Sequence, residues 1–186
     1  MSLEDYARER KDFRARVMAL KKIRSLPVGE HVMLMFENEL TVRYQIQEML
    51  RIERIFEDEG INGELAAYNP LVPDGSNWKA TMMIEFPLER ERRHWLARLA
   101  GIENCVWARV AGCERVVAIA DEDLPRGDDD KTSAVHFLRF ELDQGMVQAL
   151  RHGARLCVGV DHPEYAGVVD PVPAALTASL CGDLID

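Results

Sequence analysis

Six short apolar segments constrain the fold of this chain more than any other feature of its sequence. Each is bounded by Gly, Pro or strongly polar residues, and each is too short for a typical helix. Segments of this length that are rich in β-branched and aromatic residues predict strands. They are HVMLMFEN (31–38), WKATMMIEF (78–86), CVWARV (105–110), ERVVAIA (114–120), SAVHFLRFEL (133–142) and RLCVGVD (155–161). The pair flanking Ala111-Gly112-Cys113 predicts a hairpin.

Charged, amphipathic segments separate these strands and predict helices. The first begins after Ser2, a favourable N-cap, and the second ends before Gly60, a favourable C-terminal cap. The predicted helices are 3–24, 40–59, 88–100, 144–152 and 174–182. Two prolines and Asp74-Gly75 predict a loop over 66–77, and the acidic stretch 121–131 predicts another.

The alternation of helices and strands predicts a single α+β domain over residues 1–186. Its sheet is expected to be mixed or mainly antiparallel, with flanking helices. The chain has 186 residues, contains no internal repeat and has no Gly/Ser-rich linker that would divide it. Residues 1–26 form an N-terminal helical segment that we expect to pack on the rest of the domain.

Composition excludes several classes of protein. The net charge of −9 argues against nucleic-acid binding, which needs concentrated Lys and Arg. The four cysteines include no CxxC pair, so neither a disulfide framework nor a zinc ribbon is predicted. No apolar run is long enough for a membrane span. We therefore expect a reduced, cytoplasmic protein with neither a nucleic-acid nor a membrane partner.

The helix that contains VRYQIQEMLRIERIF (42–56) has polar side chains on its apolar face. At 100° per residue, Gln45 and Glu48 fall inside the apolar arc, and Glu53 falls between Val42 and Ile46. The same phase predicts exposed positions for Arg43, Gln47 and Arg54. A buried carboxylate must pair with a cation, take up a proton or bind a metal.

Two strands repeat this pattern. By period-2 alternation His136 shares a face with Leu138 and Phe140, and His162 continues the apolar face of the last predicted strand. Glu85 closes the strand that begins at Trp78. These residues therefore point towards the interior or lie at strand ends, where functional groups often occur.

Carboxylate and imidazole together suit a divalent iron, manganese or zinc ion. The sequence accordingly predicts a metal site made by Glu48, Glu85, His136 and His162, supported by Gln45 and Glu53. The spacing matches no established metal motif. The alternatives are structural: Glu48 and Glu53 pair with arginines such as Arg139, His136 is a neutral core histidine, and His162 is a turn histidine. Gln45 then satisfies the backbone of a neighbouring strand.

The stretch 66–79 is a second candidate site. It carries aromatic, amide and amine groups on a segment stiffened by two prolines, namely Tyr68, Asn69, Trp78 and Lys79. Such a loop can line a pocket, or it can be a long surface connection. The sequence supports both readings equally.

Four stretches of the sequence resemble one family. They are FENELTVRYQIQEMLRIERIFE, YNPLVPDGSNWKATMMIEFP, DEDLPRGDDDKTSAVHFLRFEL and GVDHPEY. They are similar to an uncharacterised bacterial family of about this length, a domain of unknown function. The resemblance implies a gene neighbourhood with rubrerythrin and an iron–sulfur oxidoreductase, hence an iron or peroxide context and a rubrerythrin-like or iron–sulfur partner. It supplies no catalytic residues.

Three functions compete at this stage. The first is a cytoplasmic, iron-type metal-binding protein that acts as a redox or peroxide-stress accessory. The second is a non-catalytic partner that docks on a redox enzyme and whose buried ion pairs are structural. The third is a hydrolase or transferase with Glu48 or Glu85 as general base beside the 66–79 loop, although no nucleophile or nucleotide-binding signature supports it. The sequence leaves a homo-oligomer open.

Overall fold

Two antiparallel sheets contribute to one hydrophobic core in the computed structural model, which describes residues 1–122 and 131–185. The first sheet has the order β1-β2-β3-β7-β6 and the second β5-β4-β8-β9. The strands are β1 Ser25–Val28, β2 Val32–Glu37, β3 Asn77–Ile84, β4 Val106–Val110, β5 Arg115–Val117, β6 Ile119–Ala120, β7 Val135–Glu141, β8 Leu156–His162 and β9 Tyr165–Val169. The fold is therefore α+β, as the sequence predicted.

Helices flank the sheets. They are α1 Leu3–Arg24, α2 Glu39–Glu53, α3 Asp58–Tyr68, α4 Glu89–Arg98, α5 Gln144–Arg151 and α6 Ala174–Cys181, with short 3-10 turns at Asn69–Leu71 and Ile102–Cys105. Ser2 caps α1 as predicted, because its side chain accepts a hydrogen bond from the backbone N–H of Asp5. No helix among the described residues has the length and apolarity that crossing a membrane requires.

The five-stranded sheet has one buried and one mixed face, as period-2 alternation requires. Leu34, Trp78, Met82 and Phe140 are almost fully buried in the core that both sheets share. The opposite face, called the outer face below, carries residues of β2, β3 and β7. They are Met35, Glu37, Lys79, Thr81, Met83, Val135, Phe137 and Arg139. Residues of α2 and α3 lie over this outer face.

Helix α1 is anchored at both ends of its length. Near its start, Tyr6 and Phe13 pack together, and Phe13 stacks on Tyr44 of α2. At its end, Arg24 is 1% exposed and donates hydrogen bonds to the backbone carbonyls of Phe36 and Glu37 and to the carboxylate of Asp183. Burial of a guanidinium requires this complete set of acceptors. The N-terminal segment is thus packed on the sheet.

Three predicted elements need correction. The helix predicted over 40–59 ends at Glu53, where Arg54 adopts the left-handed conformation at φ 55° and Ile55 N–H bonds to the Leu50 carbonyl. Gly60 is not a cap, because it lies inside α3. Residues 66–68, predicted as loop, are the last residues of α3.

The strand at 155–161 is not the last one, because β9 follows and pairs with it. No residue of β9 is fully buried, and Gly167 packs directly against the backbone of Val28 and Gly29. Most of the acidic stretch predicted as a loop over 121–131 lies outside the described residues. The hairpin around Ala111-Gly112-Cys113 is confirmed by the pairing of β4 with β5.

Candidate functional site

Glu48 is held by an ion-pair cluster. One carboxylate oxygen accepts the Tyr6 hydroxyl at 2.6 Å, and Arg10 makes two charged hydrogen bonds to the two oxygens at 2.8 Å. Arg51 adds two longer ones at 3.2 Å. The guanidinium of Arg10 holds the pKa of Glu48 well below its ordinary range, and Arg51 and Tyr6 act in the same direction. The side chain therefore has no vacant oxygen facing the core.

The arginines in this cluster are not the one that the sequence suggested. Arg139 lies on the outer face of β7 and pairs with Glu122 and Glu141. Arg10 belongs to α1 and Arg51 to the next turn of α2, so Glu48 joins two helices. The alternative of a structural ion pair describes Glu48 correctly, with different partners.

His136 is a core histidine with both ring nitrogens engaged. It is fully buried, its Nδ1 lies 2.6 Å from Asp121 Oδ2, and its Nε2 lies 2.7 Å from the Thr132 hydroxyl and 3.0 Å from the Ser133 carbonyl. Glu103 Oε2 lies 3.8 Å from the same Nε2. The ring thus joins Asp121 to Thr132 and Ser133.

The other predicted ligands lie in separate places. Glu85 is exposed just after β3, and Glu53 is exposed at the end of α2. His162 is half-buried, with its Nε2 3.2 Å from the Ala100 carbonyl and its Nδ1 accepting the Glu164 N–H. The structure therefore does not bring Glu48, Glu85, His136 and His162 together. Within residues 1–122 and 131–185 no three His, Cys, Asp or Glu side chains form a group suited to a metal ion.

The helical-phase prediction for α2 is wrong at Gln47. Its side chain is 8% exposed and donates a hydrogen bond to the carbonyl of Met1, which lies just before α1 and covers this position of α2. Arg43 and Arg54 are exposed as predicted, and Gln45 is half-buried. The polar residue Gln45 faces a cavity and not the Glu48 cluster.

That cavity lies between the outer face of the five-stranded sheet and helices α2 and α3. It has a volume of about 270 Å³. We call it the sheet-face cavity. Its walls are mostly apolar and come from Met35, Val42, Leu71, Met83, Val135 and Phe137. Apolar walls with a few convergent polar groups are typical of small-molecule sites.

Glu37 is the acidic group of the sheet-face cavity. It is 9% exposed, and its two carboxylate oxygens accept hydrogen bonds from the hydroxyls of Thr41 at 2.5 Å and Thr81 at 2.8 Å. Thr41 is held by the start of α2, where Asn38 is the N-cap and forms a capping box with it. Among the described residues, no Lys, Arg or His side chain forms an ion pair with this carboxylate.

Other polar groups of the cavity come from three helices. Lys21 of α1, Gln45 of α2 and Tyr68 of α3 line it. Lys79 is the cross-strand neighbour of Glu37 but lines a smaller adjacent cavity of about 70 Å³. Burial lowers the pKa of Lys79, and the positive charge of Arg139 acts in the same direction.

The prediction that residues 66–79 line a pocket is correct only in part. Tyr68 lines the sheet-face cavity, whereas Asn69 lines a different cavity between α1, α2 and α3. Trp78 lies in the core and donates its indole N–H to the Leu180 carbonyl. Lys79 points to the opposite face of the same strand.

Comparison with known proteins identifies the family. Residues 1–184 match the family model described as protein of unknown function (DUF3501). The chain belongs to the DUF3501 family. A crystal structure at 1.90 Å of a novel protein of unknown function from Burkholderia pseudomallei K96243 is 53% identical, with a TM-score of 0.93. The alignment covers 100% of this chain and 96% of that chain. No protein with a curated description matches.

The sequence reasoning missed the acidic group of this DUF3501 protein. Glu37 lies near the end of the predicted strand 31–38, and alternation places it on the same face as Met35. Thr41 and Thr81 carry no sequence signal of their own, since hydroxyls are common at helix starts and in strands. The useful signal was a carboxylate at the end of an apolar strand, directly before an N-cap.

Proposed function

We propose that this protein binds a small organic molecule in the sheet-face cavity, with Glu37 as the polar group that orients it. One observation supports the proposal above the others. A carboxylate that is almost fully buried lacks a cationic partner among the described residues and faces a cavity with apolar walls. Burying a charge in this way costs several kcal/mol, by general estimates, unless something compensates it.

A purely structural role explains Glu37 less well. Two threonine hydroxyls satisfy part of the carboxylate, but apolar residues of similar volume usually serve stability equally well or better. The cavity volume of about 270 Å³ lies just below the range of about 300–1,000 Å³ of typical ligand sites, so the bound molecule must be small. A bound molecule would fill the apolar volume and complete the hydrogen bonding of Glu37 at once.

The experiment compares binding before and after the cavity is filled. Val135 lines the cavity and is 40% exposed at its edge, so Val135→Trp is expected to occupy the volume without opening the core. Val117→Trp, at an exposed position on β5 of the other sheet, is the matched control. Ligand-observed NMR with a set of five- to seven-carbon amines, alcohols and acids is the readout.

We expect at least one probe to bind the wild type and Val117→Trp but not Val135→Trp. Probes that bind all three proteins equally, or none of them, would overturn the proposal. Elemental analysis of the untagged protein, supplied in turn with iron, manganese and zinc, tests the predicted divalent metal separately. The divalent metal ion stays a prediction, and the proposed binding in the sheet-face cavity does not depend on it.

A second candidate function is docking on a redox enzyme, with the iron or peroxide context that the family resemblance implies. The ion pairs of Glu48 with Arg10 and Arg51 favour docking over the four-ligand metal site. The docking hypothesis predicts structural ion pairs at the buried carboxylates. Sedimentation of the protein with a rubrerythrin-like or iron–sulfur protein from the same genome tests it. A general-base role for Glu48 is poorly supported, since Arg10 lowers its basicity.

A further inference from the structure

We infer that the molecule bound in the sheet-face cavity is a small amine whose protonated nitrogen pairs with Glu37 and whose apolar body lies against the cavity walls. This inference rests on the proposed function and names its ligand class. It follows from the hydrogen bonds of Glu37, from its own negative charge and from the size of the cavity.

The hydrogen bonds leave Glu37 partly unsatisfied. A carboxylate offers about four lone-pair positions. Thr41 and Thr81 each supply one donor, and no further donor from the described residues reaches the two oxygens. An ammonium group has up to three N–H donors and no acceptor, so it can complete this set without leaving a polar atom unpaired.

The negative charge of Glu37, which forms no ion pair among the described residues, favours a cation over other ligands. Lys21 lines the same cavity, and Lys79 is the cross-strand neighbour, yet neither forms an ion pair with the carboxylate. Gln45 and Tyr68 are neutral and complete the polar lining. A carboxylic acid or phosphate would meet Glu37 with like charge, and a bare divalent cation would find one carboxylate where its sites usually need several oxygen ligands.

The volume and the walls define the rest of the molecule. The cavity holds about 270 Å³ and is lined by Met35, Val42, Met83 and Phe137, whose side chains carry no hydrogen-bond donor. Methionine side chains adapt to ligands of different shape. The body of the amine is therefore short and apolar, with few polar substituents beyond the nitrogen.

The test uses three probes that differ only in the polar group: pentylamine, 1-pentanol and pentanoic acid. Dissociation constants are measured by NMR titration for the wild type, Glu37→Gln, Glu37→Asp and Val135→Trp. Glutamine keeps the shape but removes the charge. Its amide oxygen can accept one of the two threonine hydroxyls, and its NH2 group can donate to the other. A charged hydrogen bond in a dry site predicts that pentylamine binds the wild type at least tenfold more tightly than 1-pentanol.

The inference is supported if this preference disappears in Glu37→Gln and persists in part in Glu37→Asp. It is overturned if the alcohol or the acid binds the wild type as tightly as the amine, or if Glu37→Gln keeps the amine preference. The comparison of probes on the wild type still decides the question if Glu37→Gln does not fold. A third outcome separates the inference from the proposed function. If 1-pentanol binds the wild type as tightly as pentylamine and Val135→Trp abolishes this binding, the inference is refuted and the proposed function stands.

Discussion

Replacement of Glu48 by alanine should destabilise the protein without changing its metal content. The carboxylate is 13% exposed, and it receives hydrogen bonds from Arg10, from Arg51 and from the almost fully buried hydroxyl of Tyr6. Exposed ion pairs contribute about 0–1 kcal/mol, whereas breaking a buried pair costs about 3–5 kcal/mol. Glu48 lies between these limits, so we expect a loss of about 2 kcal/mol in the free energy of unfolding.

The pH dependence of this loss has a definite sign. The pKa of Glu48 lies below its ordinary value of 4.5 in the folded protein, because Arg10 favours the charged form. Its contribution to stability is therefore fully present above pH 4.5 and is lost as the pH falls through the lowered folded value. The difference between wild type and Glu48→Ala should be largest near neutral pH and should shrink as the pH is lowered below 4.5.

The assay is urea unfolding followed by tryptophan fluorescence at pH 7 and pH 3.5, with metal analysis of each sample. Glu53→Ala, an exposed carboxylate on the same helix, is the matched control and should unfold like the wild type. A Glu48→Ala protein within 0.5 kcal/mol of the wild type at pH 7 would show that the cluster contributes little. Loss of a bound metal in Glu48→Ala alone would restore Glu48 as a ligand and refute the structural explanation.

Three further predictions follow from backbone geometry and packing. Arg54→Gly should raise the free energy of unfolding by about 0.5–1 kcal/mol, because Arg54 caps α2 at φ 55°, which glycine adopts without strain; a decrease in urea unfolding would contradict this. Gly159→Ala should destabilise by at least ~1–3 kcal/mol, since its Cβ would lie 2.4 Å from the Trp107 ring and 2.9 Å from the Gly167 carbonyl; a wild-type thermal midpoint would refute that close packing. Calorimetry should show one cooperative transition that includes the helical segment 1–26, because Arg24 joins it to the sheet; a separate early transition would contradict a single domain.

The sequence by itself determined the class of fold and the direction in which most side chains point. The length of the apolar segments and the residues that bound them were enough to locate strands such as β2 and β3. Period-2 alternation then places Leu34 and Met82 on one face and Met35 and Thr81 on the other. Local capping chemistry located the start of α1 at Ser2, because an N-cap hydrogen bond joins residues only three positions apart. These features need no information from distant parts of the chain.

Only the tertiary structure decided which of those side chains meet. Glu48 contacts Arg10, which lies 38 positions earlier, and Gln47 is buried because Met1, just before α1, covers it. Helix α2 ends at Glu53 and not before Gly60, because the chain turns there and packs α3 against α2. Periodicity fixes the direction of a side chain but not its neighbour across the fold. For that reason Glu37, whose cavity is built by β2, β3, β7 and three helices, could be recognised only once those elements were in place.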